Sequence, residues 1–201
     1  MKSIELPESW RERALVLEWS EADLSNVGMF FTPTELAAAA AHRLEKRRAE
    51  WMLGRMAAKM LASQRGLSRD PRLVVVERPH LEIDGTESEW FVSLSHSGAY
   101  AAAAVDKEPV GIDVQSVRDV SETAAHLFLT DEETEQMRTC NIPYRLLHFW
   151  CAKEAAWKQL LGEVVTLRRV HLTLNDESVH GLHFDGVETF ATATAIIALT
   201  L

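Results

Sequence analysis

The first strong run of apolar positions, Leu15-Val16-Leu17 and its neighbours, reads as a short strand. Thr32-Pro33-Thr34-Glu35 then spells a helix start: threonine at the N-cap, proline at the first helical position, and a glutamate able to reach back to the cap amide. An alanine-rich helix follows and breaks at the charged run Glu45-Lys46-Arg47-Arg48. A second helical pattern covers residues 49–64 and stops near Gly66. Residues 73–77, 90–94, 100–105 and 110–114 are the following apolar or β-branched runs, each of strand length.

The second half of the pattern opens as the first did. Thr130-Asp131-Glu132-Glu133 is another capping box, 98 positions after Thr32. A shift of 99 lays the helix carrying Lys153 and Glu154 over the helix carrying Arg55. Ala57, Lys59 and Leu61 then fall on Ala156, Lys158 and Leu160, and Arg55 on Glu154. Residues 172–174, 182–184 and 189–199 supply the closing strands. These observations predict an α+β protein built as two similar α+β halves in one chain, residues 1–105 and 106–201. Chance identity among alanines and leucines is the plain alternative.

Composition narrows the function classes. With 201 residues, 47% of them apolar, the chain can bury one good core or two small ones. A net charge of −9 argues against general affinity for nucleic acid or anionic membrane. Cys140 and Cys151, the two cysteines, form no CxxC pair, so a disulfide framework and a zinc knuckle are both unexpected. Residues 1–13 mix Glu5, Glu8, Arg11, Glu12 and Arg13 among apolar positions, unlike a signal peptide. Residues 191–201 are too few to span a bilayer. A cytoplasmic protein is expected.

Two segments carry the candidate chemistry. In Gly111-Ile112-Asp113-Val114-Gln115, strand alternation puts Asp113 and Gln115 on one face, opposite Ile112 and Val114, with Asp113 turned to a cleft or to solvent. Gly111 permits close backbone approach or a bulge. In the second segment, Trp150, Lys153, Glu154, Trp157 and Lys158 follow the spacing of a single helix face. Asp113 and Glu154 are a carboxylate pair suited to a hard cation; a surface Glu154–Lys158 pair is the plainer reading of the helix alone. Ser95-His96-Ser97-Gly98 can donate several hydrogen bonds to a phosphate. Lys46, Arg47, Arg48, Arg55 and Lys59 form a basic cluster in an acidic chain, with Arg48, Arg55 and Lys59 nearly on one face; Arg78, beside Pro79, is a further candidate.

The order of these features, with W-C-x-K-E-A-x-x-K closing it, resembles the larger, surfactin-type class of 4′-phosphopantetheinyl transferases. The resemblance covers residues 47–158. It implies two α+β halves with the active site between them, and Mg²⁺-dependent transfer of the phosphopantetheine arm of coenzyme A to a serine of an apo acyl or peptidyl carrier protein. Adenosine 3′,5′-bisphosphate is the second product, and a monomer is implied. By this likeness Asp113 and Glu154 hold Mg²⁺, with Gln115 as third ligand directly or through water, and Glu154 is the base for the carrier serine. Lys153 and Lys158 support the pyrophosphate, and Lys158 joins Asp113 and Glu154 among the catalytic residues. Ser95 and His96 contact phosphates, and Arg47, Arg55 and Arg78 grip the coenzyme, with Arg48 able to replace Arg47. Residues 117–129 are the natural place for the carrier. The chain departs from the pattern at Gln115, where many members have glutamate, and at Glu77, where glycine commonly precedes the basic-proline pair. A coenzyme A-binding regulator without turnover, and a plain interaction domain, are the other readings.

Overall fold

The structure, a computed structural model, describes residues 1–161 and 166–201, except the side chains of residues 21, 22 and 24–26. It divides into two compact units, Met1–Glu108 and Pro109–Leu201. The first unit contains β1 (Lys2–Ser3), β2 (Ala14–Glu18), α1 (Pro33–Ala40), α2 (Glu45–Gln64), β3 (Val74–Glu77), β4 (His80–Ile83), β5 (Thr86–Ser97) and β6 (Tyr100–Asp106). Its antiparallel sheet has the order β1-β2-β6-β5-β4-β3. The second contains β7 (Ile112–Ser116), α3 (Asp131–Thr139), α4 (Arg145–Gln159), β8 (Leu174–Ser178), β9 (Gly181–Phe184), β10 (Val187–Ala191) and β11 (Ala195–Thr200), ordered β7-β11-β10-β9-β8. Both units thus share one connection: a strand, two helices, then a four-strand meander whose last strand pairs with the first strand. This is an α+β architecture.

Each sheet is covered by its longer helix. In the first unit Leu53, Met56, Ala57 and Leu61 of α2 share a core with Leu15, Leu17, Ala101 and Ala103. Residues Ala101 to Ala104 are poor strand formers, yet they lie fully buried in β6, paired on both sides. Their small side chains let the helix settle on the sheet. In the second unit Phe149, Ala152 and Ala155 of α4 join Leu182, Phe184 and Ile196, and Phe149 meets Phe184 edge-on at 5.0 Å between centroids.

Both expected capping boxes form. Thr32 Oγ1 accepts from the Glu35 amide at 3.3 Å, while Glu35 accepts from the Thr32 amide at 3.0 Å. Thr130 and Glu133 repeat the exchange at 3.2 and 2.8 Å. Three expectations are corrected. The run Glu45-Lys46-Arg47-Arg48 does not interrupt a helix but forms the first turn of α2. The single strand expected over residues 189–199 is two, β10 and β11, turned by Thr192, whose hydroxyl accepts from the amides of Thr194 and Ala195. The strand β4, which carries His80 and Glu82 between its apolar positions, was not expected.

Candidate active site

Strand β7 reaches α4 through Gly111. A methyl group there would lie 1.8 Å from the Ala155 carbonyl oxygen, so only glycine lets the strand pass this close to the helix backbone. The Gly111 amide donates to Thr200 Oγ1 at 2.8 Å, and its carbonyl accepts from the Thr200 amide at 3.0 Å. The chain two residues on is therefore held tightly against α4.

Of the two placements expected for Asp113, a cleft or solvent, solvent is excluded: the side chain is 3% exposed and turned toward α4. The Lys158 ammonium donates to Asp113 Oδ1 at 2.8 Å and to the Ile112 carbonyl at 2.9 Å. Gln115 Nε2 donates to Asp113 Oδ2 at 2.8 Å, as the shared strand face requires, and Gln115 Oε1 accepts from Arg118 at 3.3 Å. The Cys151 thiol lies against the same carboxylate and donates to the Ile196 carbonyl at 3.4 Å; burial pushes its pKa well up, which keeps it a thiol.

Glu154, half-buried one turn before Lys158, completes the cluster. Burial raises its carboxyl pKa, and the nearby charge of Asp113 adds to the rise, while Lys158 opposes it. Asp113, Glu154 and Lys158 are thus brought together within one unit. Among the described residues no group of three or more His, Cys, Asp or Glu side chains is placed to hold a metal ion. The pair nevertheless suits a magnesium ion, which takes one or two protein carboxylates and fills its remaining positions with water and substrate phosphates. The mutual repulsion recorded in the Glu154 shift is what such a cation would relieve. Gln115 presents its amide nitrogen to Asp113, so direct ligation through its oxygen requires the amide to turn over.

Lys153 is a correction. Expected at a pyrophosphate, it is instead fully enclosed, paired with Glu133 at 2.7 Å and donating to the carbonyls of Val170 at 2.6 Å and Leu167 at 3.3 Å. Lys59 is corrected in the same way. It leaves the basic face, pairs with Glu35 at 2.9 Å and donates to the carbonyls of Pro71 and Val74. Lys59 is therefore the counterpart of Lys153, not of Lys158, and the uniform shift of 99 fails. Glu35 and Lys59 are 24 positions apart whereas Glu133 and Lys153 are 20 apart, so the second unit is about one helical turn shorter between cap and lysine. Arg55 consequently has no correspondence with Glu154.

The remaining candidates lie in the first unit. Arg55 is half-buried with its guanidinium 4.0 Å from the centre of the Trp51 ring. Burial lowers its pKa and the charge of Arg78 lowers it further, so two guanidiniums share one neighbourhood. Glu50, buried on α2, collects Arg47 at 3.1 Å, His96 Nδ1 at 3.7 Å and Lys46 at 3.9 Å. Arg47 is mostly exposed; Arg48 turns inward, donates to the His42 carbonyl at 3.3 Å and helps line a cavity of about 730 Å³ with Trp19, Glu50, Met52 and Gly98. Ser95 is buried and His96 exposed at the end of β5, ahead of the positive-φ turn at Gly98. In residues 117–129 of the second unit, Leu127 is exposed and Phe128 buried, and Arg145 pairs with Glu122 at 2.6 Å.

Glu50 and Trp51 escaped the sequence reading, although their spacing to Arg47 and Arg55 on a helix was a usable signal. Cys151 against Asp113 had none, since strand and helix meet only in the fold.

Residues 109–196 match the model of the 4′-phosphopantetheinyl transferase superfamily. Over 123 residues the chain is 32% identical to enterobactin synthase component D of Escherichia coli K12, covering 58% of this chain and 56% of that protein. The proteins of the same name from Escherichia coli O157:H7 and Shigella flexneri are 31% identical over the same length. The chain therefore spans 56% of the curated relatives it matches. No helix among the described residues is long and apolar enough to cross a membrane.

Proposed function

We propose that this chain is a Mg²⁺-dependent 4′-phosphopantetheinyl transferase of the larger class, with both α+β halves in one polypeptide, acting as a cytoplasmic monomer. It moves the phosphopantetheine arm of coenzyme A onto a serine of an apo acyl or peptidyl carrier protein and releases adenosine 3′,5′-bisphosphate. The observation that carries this reading is the cluster of Asp113, Glu154 and Lys158 inside the segment that matches the superfamily.

Asp113 and Glu154 would hold the Mg²⁺, with Gln115 beside them directly or through water, and the ion would supply charge neutralisation at the scissile pyrophosphate. The carrier serine Oγ attacks the pantetheine-side phosphorus, the bond to the bridging oxygen breaks, and Glu154 takes the hydroxyl proton directly or through water. Lys158 supports the negative charge that gathers on the departing phosphate. In the first unit Arg55, Arg78 and His96 bind the coenzyme's phosphates, with Ser95 behind His96 and with Arg48 or Arg47 at the nucleotide. The segment 117–129 receives the carrier.

Incubation with coenzyme A, Mg²⁺ and a panel of apo carriers tests the proposal by intact mass. Addition of the arm is expected, and its loss in both Asp113→Ala and Glu154→Ala. Transfer surviving both substitutions refutes the metal pair. Coenzyme A binding without transfer to any carrier favours the regulator, for which the neutral Gln115 is the supporting feature.

A further inference from the structure

The two enclosed lysines bear on a role that the motif order alone misassigns. Lys153 and Lys59 are both without exposure, and each ammonium meets the same kinds of partner. One is the N3 glutamate of a capping box; the others are two carbonyls, of the first residue and the C-cap of the 3-10 turn that precedes β3 in one unit and β8 in the other. The first unit holds this clip in a helix whose next residue is Met60, so there it serves no acid. The clip is therefore a device of the fold.

We infer that Lys153 is a positioning residue: it clamps α4 to the α3 cap and to the turn at residues 167–170, fixing the helix rotation that aims Glu154 at Asp113, and does not itself touch the coenzyme. Three acceptors use the three hydrogens of the ammonium, which leaves none for a phosphate oxygen. Glu154, about 100° round the helix, lies near Asp113 of β7, whose charge it feels.

The coenzyme arm of the test rests on the transferase reading; the arm without coenzyme does not. Unmodified protein is treated with an amine-reactive reagent, with and without coenzyme A and Mg²⁺, and labelling is read peptide by peptide. In the free protein Lys153 is expected to be at least tenfold less labelled than Lys158; with coenzyme A bound, Lys153 labelling should be unchanged while that of Lys158 falls. Ready labelling of Lys153 in the free protein overturns the clip, and labelling that coenzyme A suppresses assigns it to the ligand. Failure of coenzyme A to protect Lys158 counts against the transferase reading and leaves the clip standing. In variants, Lys153→Met is expected to lower the melting temperature by roughly 10 °C, and Glu133→Gln added to it, which removes the stranded charge yet keeps an acceptor for the Thr130 and Leu172 amides, to restore much of that loss. Coenzyme affinity of the restored double variant, measured without Mg²⁺ so that the aim of Glu154 does not enter, should stay within about twofold of the parent, since an untouched contact loses nothing. A tenfold or greater loss of coenzyme affinity there contradicts the inference.

Discussion

The two units share a frame and differ in what fills it. Val105 donates to the Arg13 carbonyl as Thr200 donates to that of Gly111, and Ala14 faces Ala104 as Ile112 faces Leu199. The counterpart of Asp113 is therefore Leu15, and that of Gln115 is Leu17, both in the core beneath α2. Aligned on the clip lysines, Glu154 corresponds to Met60. Where the first unit packs leucine and methionine, the second carries two acids, and Lys158 reaches in to meet one of them. Burying charge this way costs stability, and the raised pKa of Glu154 is its trace. The frame explains the shape of both units; the substitutions within it set the acidic cluster in one of them alone.

The strongest way to break the comparison is at its closest approach. Gly111→Ala drives a methyl group into the Ala155 carbonyl and is expected to cost more than about 4 kcal/mol or prevent folding of the second unit, read by circular dichroism and thermal melting. In the first unit Gly54→Ala meets only the Leu94 side chain at 3.7 Å and should be tolerated. Next in size, Lys59→Met strands the Glu35 carboxylate and should cost about 3–5 kcal/mol in chemical denaturation, the same range as its counterpart in the second unit.

His148 separates the units by pH. It is fully buried on α4 with Nδ1 2.8 Å from Thr189 Oγ1, and burial lowers its pKa to about 4. The unfolded imidazole takes up a proton near its ordinary value while the folded one stays neutral. Stability from this group is therefore complete above that value and is lost as pH falls toward about 4, by up to about 3 kcal/mol. His148→Asn should flatten that acid limb in denaturation curves taken across the range; an unchanged limb contradicts it. Smallest is Gln115→Glu, which adds a third acid where Leu17 stands in the first unit. It should lower the Mg²⁺ concentration needed for half-maximal transfer, and equal titrations would show that Gln115 does not influence the metal.

Much of this was legible in the chain because it is local. The capping boxes at Thr32 and Thr130, the helix through Glu154 and the alternation that pairs Asp113 with Gln115 all depend on residues a few positions apart. What escaped is set by tertiary contact. The burial of Asp113 follows from the Gly111 approach to Ala155, and the enclosure of Lys153 from a glutamate 20 positions away and carbonyls beyond it. A uniform sequence shift misplaced Arg55 because the two units differ by about one turn between cap and lysine. The alanine strand β6 was legible as an apolar run of strand length despite its poor propensity, and neighbours on both sides hold it.

Glu154→Met tests the central claim most directly, because it restores at one position what the first unit has. The relieved burial of an ionised carboxylate predicts a variant that melts at or above the parent temperature at neutral pH. Intact mass of an apo carrier incubated with that folded variant, coenzyme A and Mg²⁺ is then the decisive reading. No addition of the arm is the predicted result; a carrier converted as by the parent would contradict the account.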